Sequence, residues 1–167
     1  DINGTAGFGF WNAPYGDPTV RTPAFPKALW FFYASTPNDI PFLRGQTGWF
    51  AATINVKRWQ LLLAPFALLN WLPYVQPYLW PRLTRLLGIQ VARVPVDLTQ
   101  WQHYALEWLP QRTIFRVNGT VLLDTAISPQ APLGFVAWID NQYLIATPKG
   151  RFDAGVLSAD LPQALHL

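Results

Sequence analysis

The chain of 167 residues contains no cysteine and no methionine, and glutamate occurs once, at Glu107. Without cysteine there is no disulfide framework, zinc ribbon, iron–sulfur centre or thiol nucleophile. Eight aspartates accompany the single glutamate, so a site that needs two glutamates cannot be built from this chain alone. Charged residues make up only 13%, about half the share of an average soluble domain. Histidine is present twice, as His103 and His166, and no G-x-S-x-G, H-x-x-x-H or H-E-x-x-H pattern surrounds either one. Gly7-x-Gly9 lacks the third glycine and following helix of a phosphate loop, and reads instead as close packing or twist within a strand. The net charge of +3 comes from scattered cations, with Lys57-Arg58 the only adjacent pair. Nucleic acid is not the expected partner, because such a footprint needs clustered Lys and Arg. No compartment is assigned: the n-region and h-region of a signal peptide are not seen.

Apolar and aromatic residues are abundant: 51% of the chain is hydrophobic and 16% aromatic, with 9 Trp, 11 Phe and 6 Tyr. This excludes disorder, and the length suits one domain spanning residues 1–167. Sixteen prolines argue against long helices. Between them lie short runs of aromatic and β-branched residues bounded by Gly, Pro, Asn and Asp, which predict strands at 5–12, 28–35, 48–54, 101–109, 112–117, 120–124 and 133–140. Val117-Asn118-Gly119-Thr120 predicts a tight hairpin, since Asn-Gly supplies the two positive-φ positions of a type I′ turn. The expected fold class is therefore an all-β sandwich.

Residues 57–92 interrupt this pattern as an insertion. From Trp59 to Pro81 there is no charge at all, while Lys57 and Arg58 precede the run and Arg82 and Arg85 follow it. The run exceeds the roughly 18–20 residues of a membrane span. Prolines 65, 73, 77 and 81, with Asn70 and Gln76 inside, argue against one continuous helix. If the strands on both sides share one sandwich, both ends also emerge on the same side. A broken helical hairpin is expected, with helices near 57–71 and 77–87. Trp59, Leu62, Phe66, Trp71, Tyr74, Tyr78 and Trp80 would face a membrane surface, a partner or a second copy.

Aromatic rings beside amides and carboxylates suit carbohydrate, whose C–H faces stack on the rings while polar groups orient the hydroxyls. Trp138, Asp140, Asn141 and Gln142 form such a mixed cluster, and Asn38 and Asp39 follow Trp30 and Phe32. Trp49 lies in a neighbouring strand. These nine residues are the candidate ligand-binding set. Asp140-Asn141 and Asn38-Asp39 could each join a calcium site, but turn chemistry alone explains such pairs, so no cofactor is assigned.

Five stretches have a familiar pattern. Trp101-Gln102-His103-Tyr104-Ala105-Leu106-Glu107-Trp108-Leu109-Pro110 is followed by Ile114-Phe115-Arg116-Val117-Asn118-Gly119. Gly7-Phe8-Gly9-Phe10-Trp11-Asn12 and Ala28-Leu29-Trp30-Phe31-Phe32 precede them, and Leu133-Gly134-Phe135-Val136-Ala137-Trp138-Ile139-Asp140 comes after. Together they resemble family 16 glycoside hydrolases and related concanavalin A-like lectin/glucanase domains, which carry W-H-x-Y-x-x-x-W-x-P and then a strand ending V-D-G. The resemblance implies a jelly-roll sandwich with its ligand on the concave sheet. It also implies flanking strands, either present in a longer protein or lost from an abbreviated sandwich.

The family's catalytic strand reads E-x-D-x-x-E, with two carboxylates about 5–5.5 Å apart for retaining hydrolysis. The corresponding place here reads Ser35-Thr36-Pro37-Asn38-Asp39-Ile40-Pro41, without glutamate. The leading expectation is thus a non-catalytic binding module for carbohydrate or an apolar small molecule. The alternatives are a divergent hydrolase using Asp39, Asp140 or His103, and a membrane-interface or oligomerisation module working through 59–81.

Overall fold

A computed structural model describes residues 2–12, 24–40, 43, 45–63, 74, 76–130, 132–147, 151–158 and 162–167. The strands are β1 (Thr5–Trp11), β2 (Lys27–Ala34), β3 (Gly48–Asn55), β4 (Ile89–Arg93), β5 (Tyr104–Leu109), β6 (Arg112–Val117), β7 (Thr120–Thr125), β8 (Gly134–Asp140), β9 (Gln142–Ala146) and β10 (Phe152–Val156). An antiparallel five-stranded sheet runs β4-β3-β2-β1-β8, a three-stranded sheet β5-β6-β7, and β9 pairs with β10. The expected all-β sandwich of antiparallel sheets is what these strands form.

Alternation along the strands decides which residues meet. Leu29 and Phe31 of β2, Trp49 and Ala51 of β3 and Val94 face Phe115 and Val117 of β6, forming the core between the two larger sheets. Rings interlock across this layer, with Phe31–Phe115 centroids 5.2 Å apart and Phe8–Tyr104 also 5.2 Å apart, both edge-on. On the other face of the five-stranded sheet a second cluster holds Phe32, Ala34, Leu43, Phe50 and Ala52, with Trp30, Ile40, Val91 and Trp138 packed against it.

The Asn-Gly hairpin forms as predicted: Asn118 has φ 50° and Gly119 φ 80°, with Val117 opposite Thr120. The Asn118 side chain also accepts the His103 amide and donates to Gln102 Oε1. Those bonds keep residues 101–103 out of the ladder, so β5 starts at Tyr104 rather than at Trp101 as expected. Three strands escaped prediction. The β4 strand is a five-residue piece at the end of the expected insertion 57–92, with only Arg93 beyond it. Only Asn141 separates β8 from β9, so the turn signal is minimal. The β10 strand, Phe-Asp-Ala-Gly-Val, has few residues that favour strands.

Within the insertion, a 3₁₀ turn spans Arg58–Leu63 and helix α1 spans Gln76–Leu86 with Pro81 inside it. The second predicted helix is thus displaced by one residue. Of the first, only the 3₁₀ turn is described; Phe66 and Trp71 lie outside the described residues. Buried Gln60 joins the two pieces, accepting from the Lys57 amide and donating to the Leu86 carbonyl at 2.7 Å. The insertion is fastened to the sheet where Asn55 N donates to Gly88 O, at the end of β3.

Candidate functional site

The structure divides the nine candidate ligand residues. Trp30, Phe32, Trp138 and Asp140 share the outer face of the five-stranded sheet, where Trp30 meets Trp138 at 5.5 Å, Trp11 at 5.7 Å and Phe32 at 6.5 Å. Gly7 makes this possible. It lies opposite Phe32 on one side and Trp138 on the other, and a Cβ there would meet the Trp138 ring at 2.6 Å. The tryptophans close edge-to-face over a bare stretch of strand. Trp49 does not join them: period-two alternation turns it to the inter-sheet core, where it is 4% exposed.

Three polar members of the set, Asn38, Asp140 and Asn141, are engaged through their side chains in holding the fold. Asp140 Oδ1 accepts from Thr5 Oγ1 at 3.0 Å and from the Gln142 amide at 3.1 Å, and Thr5 Oγ1 in turn accepts from Trp138 Nε1 at 3.0 Å. Buried Asn38 donates to the Ser35 carbonyl and accepts the Leu144 amide. Asp39 forms a parallel bridge to Ile145 through its backbone. Asn141 donates to the Leu157 carbonyl. These contacts tie β9 and the segment after β10 to the sheet, while the Asp39 carboxylate and the exposed Gln142 side chain take no part in them. Among the described residues no group of three or more His, Asp or Glu could hold a metal ion.

A concave site lies elsewhere. A cavity of about 440 Å³ opens between the sheets, walled by Phe8, Trp49, Tyr104 and Phe135. The loop Leu98–Gln102 frames its mouth, and Ile2 and the segment Ala164–Leu167 complete it. Its volume is within the roughly 300–1,000 Å³ of small-molecule sites. The loop is held by Asp97, whose Oδ1 accepts from the Thr99 amide at 2.9 Å and the Thr99 hydroxyl at 2.7 Å. Those bonds to Thr99 lower the Asp97 pKa. Gln102 donates to the Asp97 carbonyl across the same turn. Trp101 is 80% exposed at the mouth, with its ring 6.5 Å from the His166 ring. The C-terminal segment is fixed at a second point, where the Asn3 amide donates to Gln163 Oε1 at 2.7 Å.

Tyr104 supplies a hydroxyl on the otherwise apolar wall, with ring centroids 4.9 Å from Phe31 and 6.1 Å from Trp49. Burial among these rings raises its pKa above the ordinary phenol value. The Trp49 indole N–H, which has no acceptor of full hydrogen-bonding geometry, pulls weakly the other way.

The sequence reading placed Trp101 in a strand and missed the cavity. The signal available was Asp97-Leu98-Thr99-Gln100-Trp101-Gln102, where a carboxylate-hydroxyl turn is followed by an aromatic residue between two amides. The remaining chemical candidates lie apart. Glu107 pairs with Arg116 at 2.8 Å on the exposed side of β5 and β6. His103 is exposed beside the hairpin turn, distant in the chain and in sheet position from Asp39 and Asp140. No family model, curated protein or solved structure matches this chain.

Proposed function

We propose that the chain is a concanavalin A-like jelly-roll sandwich with a helical insertion, and that it acts as a non-catalytic binding module for a small, ring-bearing, mostly apolar molecule. The observation that carries this reading is the lining of the inter-sheet cavity. Four aromatic rings form its walls, aliphatic side chains of Ile2, Leu98, Leu165 and Leu167 surround them, and polar groups gather at the mouth. A ligand buried there gains apolar contact along its body and keeps a polar end near Thr99, Gln100 and Gln102. A sugar buried deep would instead leave hydroxyls without partners, at a cost of about 1–3 kcal/mol for each unsatisfied group.

Carbohydrate is the second reading. It is favoured by Trp101, an exposed ring between two glutamines, which suits a sugar stacked on the mouth rather than inside. The absence of a carboxylate pair at the family's catalytic position supports binding without turnover.

Titration of intrinsic tryptophan fluorescence with hydrophobic dyes and with gluco-oligosaccharides separates the two. The expected result is saturable quenching by the apolar ligand, weakened about tenfold by Trp101→Ala, as loss of a stacked ring of about 1–1.5 kcal/mol implies. Thermal stability should be unchanged, because Trp101 is 80% exposed. Saturable binding of oligosaccharides alone would replace the apolar reading with the carbohydrate one. Binding unaffected by Trp101→Ala and by Phe8→Leu would place the ligand outside this cavity.

A further inference from the structure

The insertion exposes large apolar side chains to solvent. Trp59 is 52% exposed, Leu62 75%, Tyr74 89% and Tyr78 71%. The two pieces that carry them adjoin, since Gln60 holds the 3₁₀ turn against the last turn of α1. Helix α1 is two-faced: Leu83 is buried toward the sheet, while Tyr78, Pro81, Arg82, Arg85 and Leu86 are exposed. Lys57, Arg58, Arg82 and Arg85 are exposed around these apolar groups, and none of the four enters an ion pair among the described residues. The surrounding sequence is charged with one sign only. From Ile40 to Val96 there is no Asp or Glu, while Arg44, Lys57, Arg58, Arg82, Arg85 and Arg93 supply half of the chain's 12 cations.

We propose that this face docks on an anionic lipid surface, with Trp59, Leu62, Tyr74 and Tyr78 at the headgroup level and the four cations against lipid phosphates and carboxylates. Tryptophan and tyrosine favour that level because each has an apolar ring and a polar tip. A basic rim adds attraction to anionic lipid. The docking proposed is peripheral; no helix among the described residues is long and apolar enough to cross a membrane. The charge pattern disfavours a second copy as the occupant. A two-fold contact places this patch on itself, which gathers Arg58, Arg82 and Arg85 of both copies in one interface with no acid in the patch to pair them. The inference uses no residue of the cavity.

The test is co-sedimentation of the full chain with phosphatidylcholine vesicles, with and without phosphatidylserine, at increasing salt. Binding should require phosphatidylserine and weaken as salt rises. Arg82→Gln with Arg85→Gln should reduce it by about tenfold or more, each cation near the surface contributing roughly fivefold. Trp59→Ser with Tyr78→Ser should reduce it while leaving the circular dichroism spectrum unchanged. The inference is overturned if the folded protein fails to sediment with phosphatidylserine vesicles, or if it binds both vesicle types equally. Undiminished binding by both double variants overturns it as well. So does a dimeric mass in light scattering that the Trp59/Tyr78 variant converts to monomer, which would assign the face to self-association.

Discussion

Tyr104 is the residue where the stability of the sandwich and the chemistry of the cavity meet. Its hydroxyl is one of the few polar groups on the cavity wall, and its ring packs on Phe8, Phe31 and Trp49. Because burial raises its pKa in the folded state, the neutral phenol is the form the fold prefers. Its contribution to stability is complete below the unfolded-state phenol pKa. It is lost as pH rises through the folded-state value, because the unfolded chain releases the proton first. Denaturant unfolding should therefore show a midpoint that falls in the alkaline range above about pH 10, and Tyr104→Phe should flatten that fall. A wild-type and variant profile of equal slope would show that other groups govern the alkaline loss. Tyr104 stands in the W-Q-H-Y run expected to be part of a strand, so its place in β5 was legible from sequence. Its position on a cavity wall was not, because that depends on the loop and the C-terminal segment closing around it.

Strand β1 shows what the sequence could and could not convey about an element. Gly7-x-Gly9 read correctly as a place for close packing, and strands β1, β2, β3, β6, β7 and β8 begin and end within a residue or so of their predicted bounds. What the glycines accommodate was hidden, because the pairing of β1 with β8 joins residues more than 120 positions apart. At Gly7 a methyl group would lie 2.6 Å from the Phe31 carbonyl oxygen as well as from the Trp138 ring. Gly7→Ala should thus destabilise the protein by about 1–3 kcal/mol, the usual cost of overpacking, measured from chemical denaturation. A combined Gly7→Ala, Trp138→Leu variant should recover part of the loss, and no recovery would place the strain on the β2 side. The same long-range pairing explains why the structural bonds of the polar candidate residues could not be read from the sequence. Asn38 comes after Trp30 and Phe32 in sequence, and Asp140 and Asn141 follow Trp138, as a sugar site could have them. Their hydrogen-bond partners, Leu144, Thr5 and Leu157, come from other strands and connections. Trp49 was grouped with Trp30 from sequence, and only the alternation of β2 and β3 in register separates their faces.

For the molecule as a whole, the aromatic content serves three distinct purposes. One set of rings fills the layer between the sheets, a second closes over β1, and a third remains exposed on the insertion. Composition alone could not divide them. The feature that sets the cavity and the exposed insertion apart is strand β3. Trp49, near its start, forms a wall of the cavity, while the insertion departs after Asn55 at its end. Six residues at about 3.3 Å each put roughly 20 Å of rigid, hydrogen-bonded strand between them. A ligand titration of vesicle-bound and free protein should therefore give dissociation constants that agree within about twofold, since no differential contact couples the two ends. A large difference would require a moving element that links them. With its insertion on lipid, the domain would hold the binding mouth clear of the headgroups, so that β3 acts as a mast and ligands are taken from the water above the membrane instead of drawn out of the bilayer.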